Sequence, residues 1–144
     1  MTDHLYSFDP GAKYFAYAYW DQARLSRCDR IDARPRTWLG VQPAGSNTAI
    51  AVIEVPHRAH SVRTRQKDLF ETAIMGGEIG GQFIDPIYCT YQNWARGAPA
   101  HIIQLRTEKA LTEDEIQLLP RLKKDRDHVI DAIGVGLWYL GRLR

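Results

Sequence analysis

Thr48–Val55, TAIAVIEV, is the stretch on which the architecture turns. It is a nearly continuous apolar run rich in β-branched residues, carrying Glu54 near its end and closed by Pro56. A sheet face open to water would impose alternation; its absence predicts a strand covered on both sides, as in a sheet sandwiched between helices. Upstream, Leu5–Phe8 reads as a strand stopped by the turn residues Asp9, Pro10 and Gly11, with a second strand over Lys13–Trp20 and a third over Ala23–Ile31. Asp32–Asn47 contains Pro35, Gly40, Pro43 and Gly45 and reads as loop. Downstream the period changes. Leu69, Phe70, Ala73, Ile74 and Ile79 predict a helix within Ser61–Ile79, followed by a strand over Pro86–Tyr91 and a helix from Pro99 to Arg106. Thr112 and Glu115 form a capping-box pattern for a short helix to Leu119, and Lys123–Arg142 closes the chain as a longer one. The expected class is α/β: a mixed sheet with an antiparallel three-strand meander and flanking helices, residues 1–144 forming a single domain.

Composition agrees with a folded globule. Of 144 residues, 44% are hydrophobic, with four Trp and seven Tyr. A net charge of +2 permits nucleic-acid binding without requiring it. Cys28 and Cys89 have no metal-ligand spacing and read as reduced thiols. The start, MTDHLYSFDPG, lacks the basic and apolar regions of a signal peptide, and no apolar run approaches a membrane span, so a cytoplasmic protein with no membrane partner is expected.

The closing helix raises a chemical question. Val129, Ile130, Ile133, Leu137 and Leu140 mark a core-facing side, yet His128 and Asp131 stand three apart on it. Burying such groups without partners costs several kcal/mol. If the first and fourth strands are neighbours, Asp9 and Glu54 share a rim that the closing helix can reach. Three carboxylates and an imidazole meeting there would repel one another unless a cation neutralised them, and an oxygen-rich set suits Mg²⁺ or Mn²⁺. Taken singly, Asp9 is also a turn residue, Glu54 a strand-end charge, and the His128/Asp131 pair a local helix contact. Glu71, Glu78, Asp125 and Asp127 are competing acids.

LYSFDPGAKYFAYAYW, AVIEVPHR, the helix ending in GGEIGGQF, YCTYQNWARGAPAHI and DHVIDAIGVGLWYLGR follow in the order seen in RuvC-type Holliday junction resolvases, and the chain most resembles the compact forms of phages and related genomes. The resemblance implies a ribonuclease H-like fold and a homodimeric two-metal nuclease for four-way DNA junctions, with Asp9, Glu54, His128 and Asp131 as catalytic and metal-binding residues. It further implies two Mg²⁺ ions per site, replaceable by Mn²⁺, with Asp9 bridging them, Glu54 and Asp131 each holding one, and His128 either ligating the second or orienting water. The setting implied is the nucleoid or a phage-infected cell.

Basic residues supply a second signal. Arg58, Arg63, Arg65 and Lys67 follow the Glu54 strand, and Lys123, Lys124 and Arg126 precede His128; phosphate contact and a solvated charged face are the two readings. Lys67, Lys123 and Lys124, with the three arginines after Glu54, are the DNA-binding candidates. His57 and His60 make only a weak metal pair. Trp94 and Arg96 are candidate substrate contacts, Trp94 equally a core residue. Phe70, Ile74 and Ile79 mark a candidate dimer interface. A non-cleaving DNA-binding module and a ribonuclease H acting on RNA–DNA hybrid are the competing functions; an actin-like kinase would need two lobes.

Overall fold

The computed structural model describes residues 4–32, 49–56 and 66–144. Five strands form one sheet: β1 (His4–Pro10), β2 (Phe15–Asp21), β3 (Arg24–Ile31), β4 (Ile50–Glu54) and β5 (Ile87–Cys89), in the order β3-β2-β1-β4-β5. β1, β2 and β3 are the expected antiparallel meander, while β4 runs parallel to β1 and β5 parallel to β4. The helices are α1 (Gln66–Gly80), α2 (Tyr91–Ala95), α3 (Ala100–Ala110), α4 (Glu113–Ile116) and α5 (Lys123–Tyr139). Among the described residues no helix is long and apolar enough to cross a membrane.

β4 is buried on both faces, as its unbroken apolar run predicts. Val52 joins Leu5, Ala16, Ala18 and Trp20 beneath Val129, Ile133 and Leu137 of α5. Ala51 and Ile53 join Tyr6, Phe8, Phe15 and Tyr17 on the opposite face, covered by Met75, Ile79 and Phe83. Odd-numbered residues of β1 therefore face α5 and even-numbered ones α1, which follows from the two-residue period of a strand. Asp9, being odd, falls on the α5 side.

Helix α5 lies close to the sheet because two of its residues are glycines. A Cβ on Gly136 would collide with the Trp20 indole nitrogen and with the Ser7 hydroxyl, and a Cβ on Gly134 would come within 2.5 Å of the Trp94 ring. The Trp20 indole donates to Ser7 Oγ at 3.0 Å in this contact, so these two buried polar groups satisfy each other. Gly136→Ala is expected to lower stability by about 2–3 kcal/mol through overpacking, read as a shift in the urea midpoint with an unchanged slope.

The structure departs from the sequence reading at several elements: α3 runs on to Ala110 beyond the expected Arg106, and α5 stops at Tyr139 before Arg142. The strand expected over Pro86–Tyr91 stops at Cys89, because Thr90 opens α2: its backbone N–H donates to Asn93 Oδ1 at 2.8 Å, a cap that competes with strand continuation. The Thr112 helix ends at Ile116 instead of Leu119, although its capping box is present. Ile79 is fully buried in the α1 side of the core and is unavailable as an interface residue, whereas Phe70 and Ile74 are 63% and 54% exposed. Most of the Asp32–Asn47 loop and the segment 57–65, including Arg58, Arg63, Arg65, His57 and His60, lies outside the described residues.

Candidate active site

Three elements deliver the acids. Phe8 is paired with Ile53 across the parallel β1–β4 ladder, so the next residues in the two strands, Asp9 and Glu54, stand side by side at the carboxyl end of the sheet. Asp131 comes from the third turn of α5, on the face that packs over β1. All three are partly accessible within otherwise buried surroundings. Burial raises the Asp9 carboxyl well above the ordinary range, and the charges of Glu54 and Asp131 raise it further. Glu54 is pushed up to about 7 by burial, an effect that an indole hydrogen bond opposes and the Asp131 charge reinforces. Asp131 rises to about 6 through burial and then the Asp127 charge. Such a set holds protons too tightly unless positive charge arrives.

Three of the competing acids are paired with bases. Glu71 pairs with Lys67 at 3.7 Å, Asp127 with Lys123 at 2.7 Å and Asp125 with Arg30 at 3.5 Å. Lys67 and Lys123, both candidates for phosphate contact, are thus engaged by local acids. Such exposed pairs are weak enough for a phosphate to displace them. Lys124 is exposed, and its charge reaches His128.

Two supporting contacts were not legible in the spacing. The Trp94 indole N–H donates to Glu54 Oε2 at 2.7 Å, and Trp94 itself is buried, with Tyr91 packed edge-on against it. It fixes the second acid's orientation from behind. On the other side of the site the Tyr14 hydroxyl lies 2.9 Å from His128 Nε2 and 3.2 Å from Nδ1, and the Arg30 guanidinium sits 4.0 Å above the Tyr14 ring. Arg30 is held in turn by Asp32 at 3.1 Å. Burial, with the charges of Arg30 and Lys124 and against those of Asp127 and Asp125, leaves His128 below its ordinary pKa, hence neutral and a better ligand or proton acceptor near pH 7.

Among the described residues no three His, Cys, Asp or Glu side chains are placed to hold a metal ion as they stand. The donor chemistry nevertheless fits a hard divalent ion of the Mg²⁺ kind, which keeps several waters and takes only one or two carboxylates with the balance from substrate phosphate. Asp9, Glu54 and Asp131 offer three partly accessible carboxylates, enough for one or two per ion, and His128 is linked to them through Tyr14, whose hydroxyl it meets and which feels the Asp9 charge. Cys28 and Cys89 are different: burial pushes both thiols up to about 12, which makes them poor ligands and nucleophiles.

A mixed five-stranded sheet of this order with flanking helices is a ribonuclease H-like fold. Within that class the chain has the fold of RuvC. It matches Thermus thermophilus RuvC in complex with a Holliday junction substrate with a TM-score of 0.60 and 12% identity, over 95% of this chain and 92% of that one. A second Thermus thermophilus RuvC structure matches with a TM-score of 0.51 and 15% identity, over 95% and 93%. No protein-family model matches the sequence, and no curated protein matches it by sequence.

Proposed function

We propose that the protein is a divalent-metal-dependent endodeoxyribonuclease that resolves four-way DNA junctions by paired nicks. The observation that supports this most is the convergence of Asp9, Glu54 and Asp131 from three elements, with carboxyl pKa values raised by burial and by one another, on the fold of a protein solved with a Holliday junction. Bound Mg²⁺ or Mn²⁺, two ions per site, would supply the Lewis acidity for in-line attack of water on a phosphodiester. Asp9 is central to the three acids and would be shared between the ions; Glu54 and Asp131 would each serve one. His128, kept neutral, would complete the second position or orient water. Trp94 holds the Glu54 rotamer, and the Arg30–Tyr14 stack holds the His128 ring. Arg58, Arg63, Arg65, Lys67, Lys123 and Lys124 would contact phosphates, and the products would carry 5′-phosphate and 3′-hydroxyl ends.

A four-way junction has approximate two-fold symmetry, and each chain carries one acid set, so two opposed cuts call for two copies. Phe70, Ala73, Ile74 and Gly77 form an exposed stripe along α1 at helical spacing, suited to a second copy of the same stripe. Mixing excess inactive subunits with wild type should then yield single nicks from heterodimers.

The reaction is tested by one comparison of four-way junction, RNA–DNA hybrid and linear duplex, with and without Mg²⁺. Symmetric nicks in the junction alone, and only with the ion, support the proposal. Preference for the hybrid would assign a plain ribonuclease H, and binding without cutting a junction-binding module. Trp94→Phe, which keeps the ring and drops the N–H, is expected to lower turnover by about 10- to 100-fold and raise the Mg²⁺ concentration for half-maximal rate, as losses of outer-shell partners do.

A further inference from the structure

Behind Trp94, on the side away from the carboxylates, lies a cavity of about 120 Å³. Its apolar lining includes the Trp94 and Trp138 rings and Leu143, and its polar lining is Arg96, Arg106 and Arg144. None of these three arginines is in an ion pair among the described residues, unlike Arg30, Arg126 and Arg142. Three arginines lining one opening concentrate positive charge there, which an anion would neutralise. Arginine forks match phosphate oxygens in pairs, and indole faces stack with flat rings.

The backbone at the mouth carries strain. Arg96 occupies the left-handed region, with φ of 53°, and is followed by Gly97 at 70°. Arg96 is the C-cap of α2, and a non-glycine residue persists in this region only where its surroundings hold it. Size limits the ligand. An engineered cavity of about 150 Å³ takes benzene. A space of 120 Å³ therefore admits at most one six-membered ring and not the fused rings of a purine.

We propose that this cavity binds a single pyrimidine nucleotide, its base against the half-buried Trp138 ring and its phosphate on Arg96 and Arg106, whether the nucleotide is free or part of an unpaired strand. The proposal stands independently of whether the acids cleave DNA. Because Trp94 both walls the cavity and donates to Glu54, a base seated there would also stiffen the second acid.

The test is a titration of the whole protein, without divalent ions, with thymidine 5′-monophosphate, thymidine, inorganic phosphate, deoxyadenosine 5′-monophosphate and the single strand dT4, followed by tryptophan fluorescence and calorimetry. Saturable quenching by thymidine monophosphate, at least tenfold tighter than for thymidine, phosphate or the purine nucleotide, is expected. Tighter binding of dT4 would assign an unpaired strand as the source, and equal binding a free nucleotide. Arg106→Ser, on the exposed face of α3, should weaken binding at least fivefold without changing the melting temperature, while Arg121→Ser, away from the cavity, should not. Trp138→Leu should remove most of the quenching. No saturation at 10 mM, or equal affinities for wild type and Arg106→Ser, overturns the site; equal binding of the purine overturns its size selectivity.

Discussion

Asp9→Asn is expected to abolish junction cleavage, by roughly a thousandfold or more, while making the metal-free protein more stable at pH 7. Both effects come from one charge. Asp9 faces Glu54 and Asp131, and its carboxyl is raised by burial and by those two neighbours. The sign of the stability effect follows from the direction of the shifts. An acid whose folded pKa is raised binds its proton more tightly in the folded state, so its favourable contribution is complete below the ordinary carboxylate value near pH 4. It is lost as pH rises through the folded values, about 6 for Asp131 and about 7 for Glu54. Wild type in a chelator should therefore lose stability between about pH 4 and pH 7. The Asn variant should lose less, melting about 5 °C higher at pH 7, equivalent to one to two kcal/mol for a domain of this size. Mg²⁺ should restore wild type above pH 6 and leave the variant nearly unchanged. Junction affinity should hold or rise, since a charge facing phosphate is gone. Wild-type turnover in the variant would remove Asp9 from the site, and a flat chelator profile would refute mutual repulsion among the acids.

Glu115→Gln should cost about 3–5 kcal/mol, the usual effect of removing one partner from a buried ion pair. Glu115 is only 2% exposed, yet it accepts two bonds from Arg142, at 2.7 and 3.0 Å, together with the backbone N–H groups of Leu25 and Thr112. Burial alone would raise its pKa; the Arg142 and backbone bonds outweigh burial and hold it at about 2. A depressed carboxyl contributes stability that is complete above the unfolded value near 4.5 and lost as pH falls towards 2. Arg142 also donates to the carbonyls of Ala23 and Ala110, tying the chain after α5 to α3 and to the β2–β3 turn. That turn places Gln22 and Ala23 at φ of 48° and 65° without a glycine, a strained connection that the Arg142 bond helps to hold. Glutamine keeps the acceptor for Leu25 but aims an amide N–H₂ at the guanidinium. Thermal melts at pH 7 and pH 3 check the prediction: the gap between variant and wild type should narrow at the lower pH.

The residues that carry a period or a strong local pattern revealed themselves in the sequence. TAIAVIEV lacks alternation because both faces of β4 are covered, and that places it inside the sheet. Asp9 and Glu54 could be brought together because each ends a strand, and the structure puts those strands side by side. Tyr14 and Arg30 were illegible because their stack depends on the register of a hairpin whose turn, Gln22-Ala23, carries none of the usual Asn-Gly signal. Trp94 was read as either core or contact, and it is a core residue with one polar edge, a distinction made only by where its N–H points. α2 escaped because Thr90 and Asn93 cap it with an amide in place of the Glu or Gln that marks a capping box. Glu115 was seen as a cap; its larger role depends on Arg142, which only folding brings to it.

Asp9 and Asp131 belong to the first strand and the last helix, so their meeting closes one of the longest loops the chain can form. Contacts of such sequence separation form late and slowly, since the entropy of closure precedes their reward. While the chain emerges from a ribosome, its three acids cannot meet until α5 docks. A nascent or C-terminally clipped copy would consequently hold sheet and basic residues without the third carboxylate. On the proposed nuclease function, toxicity in a producing cell should then track full-length protein and not total synthesis.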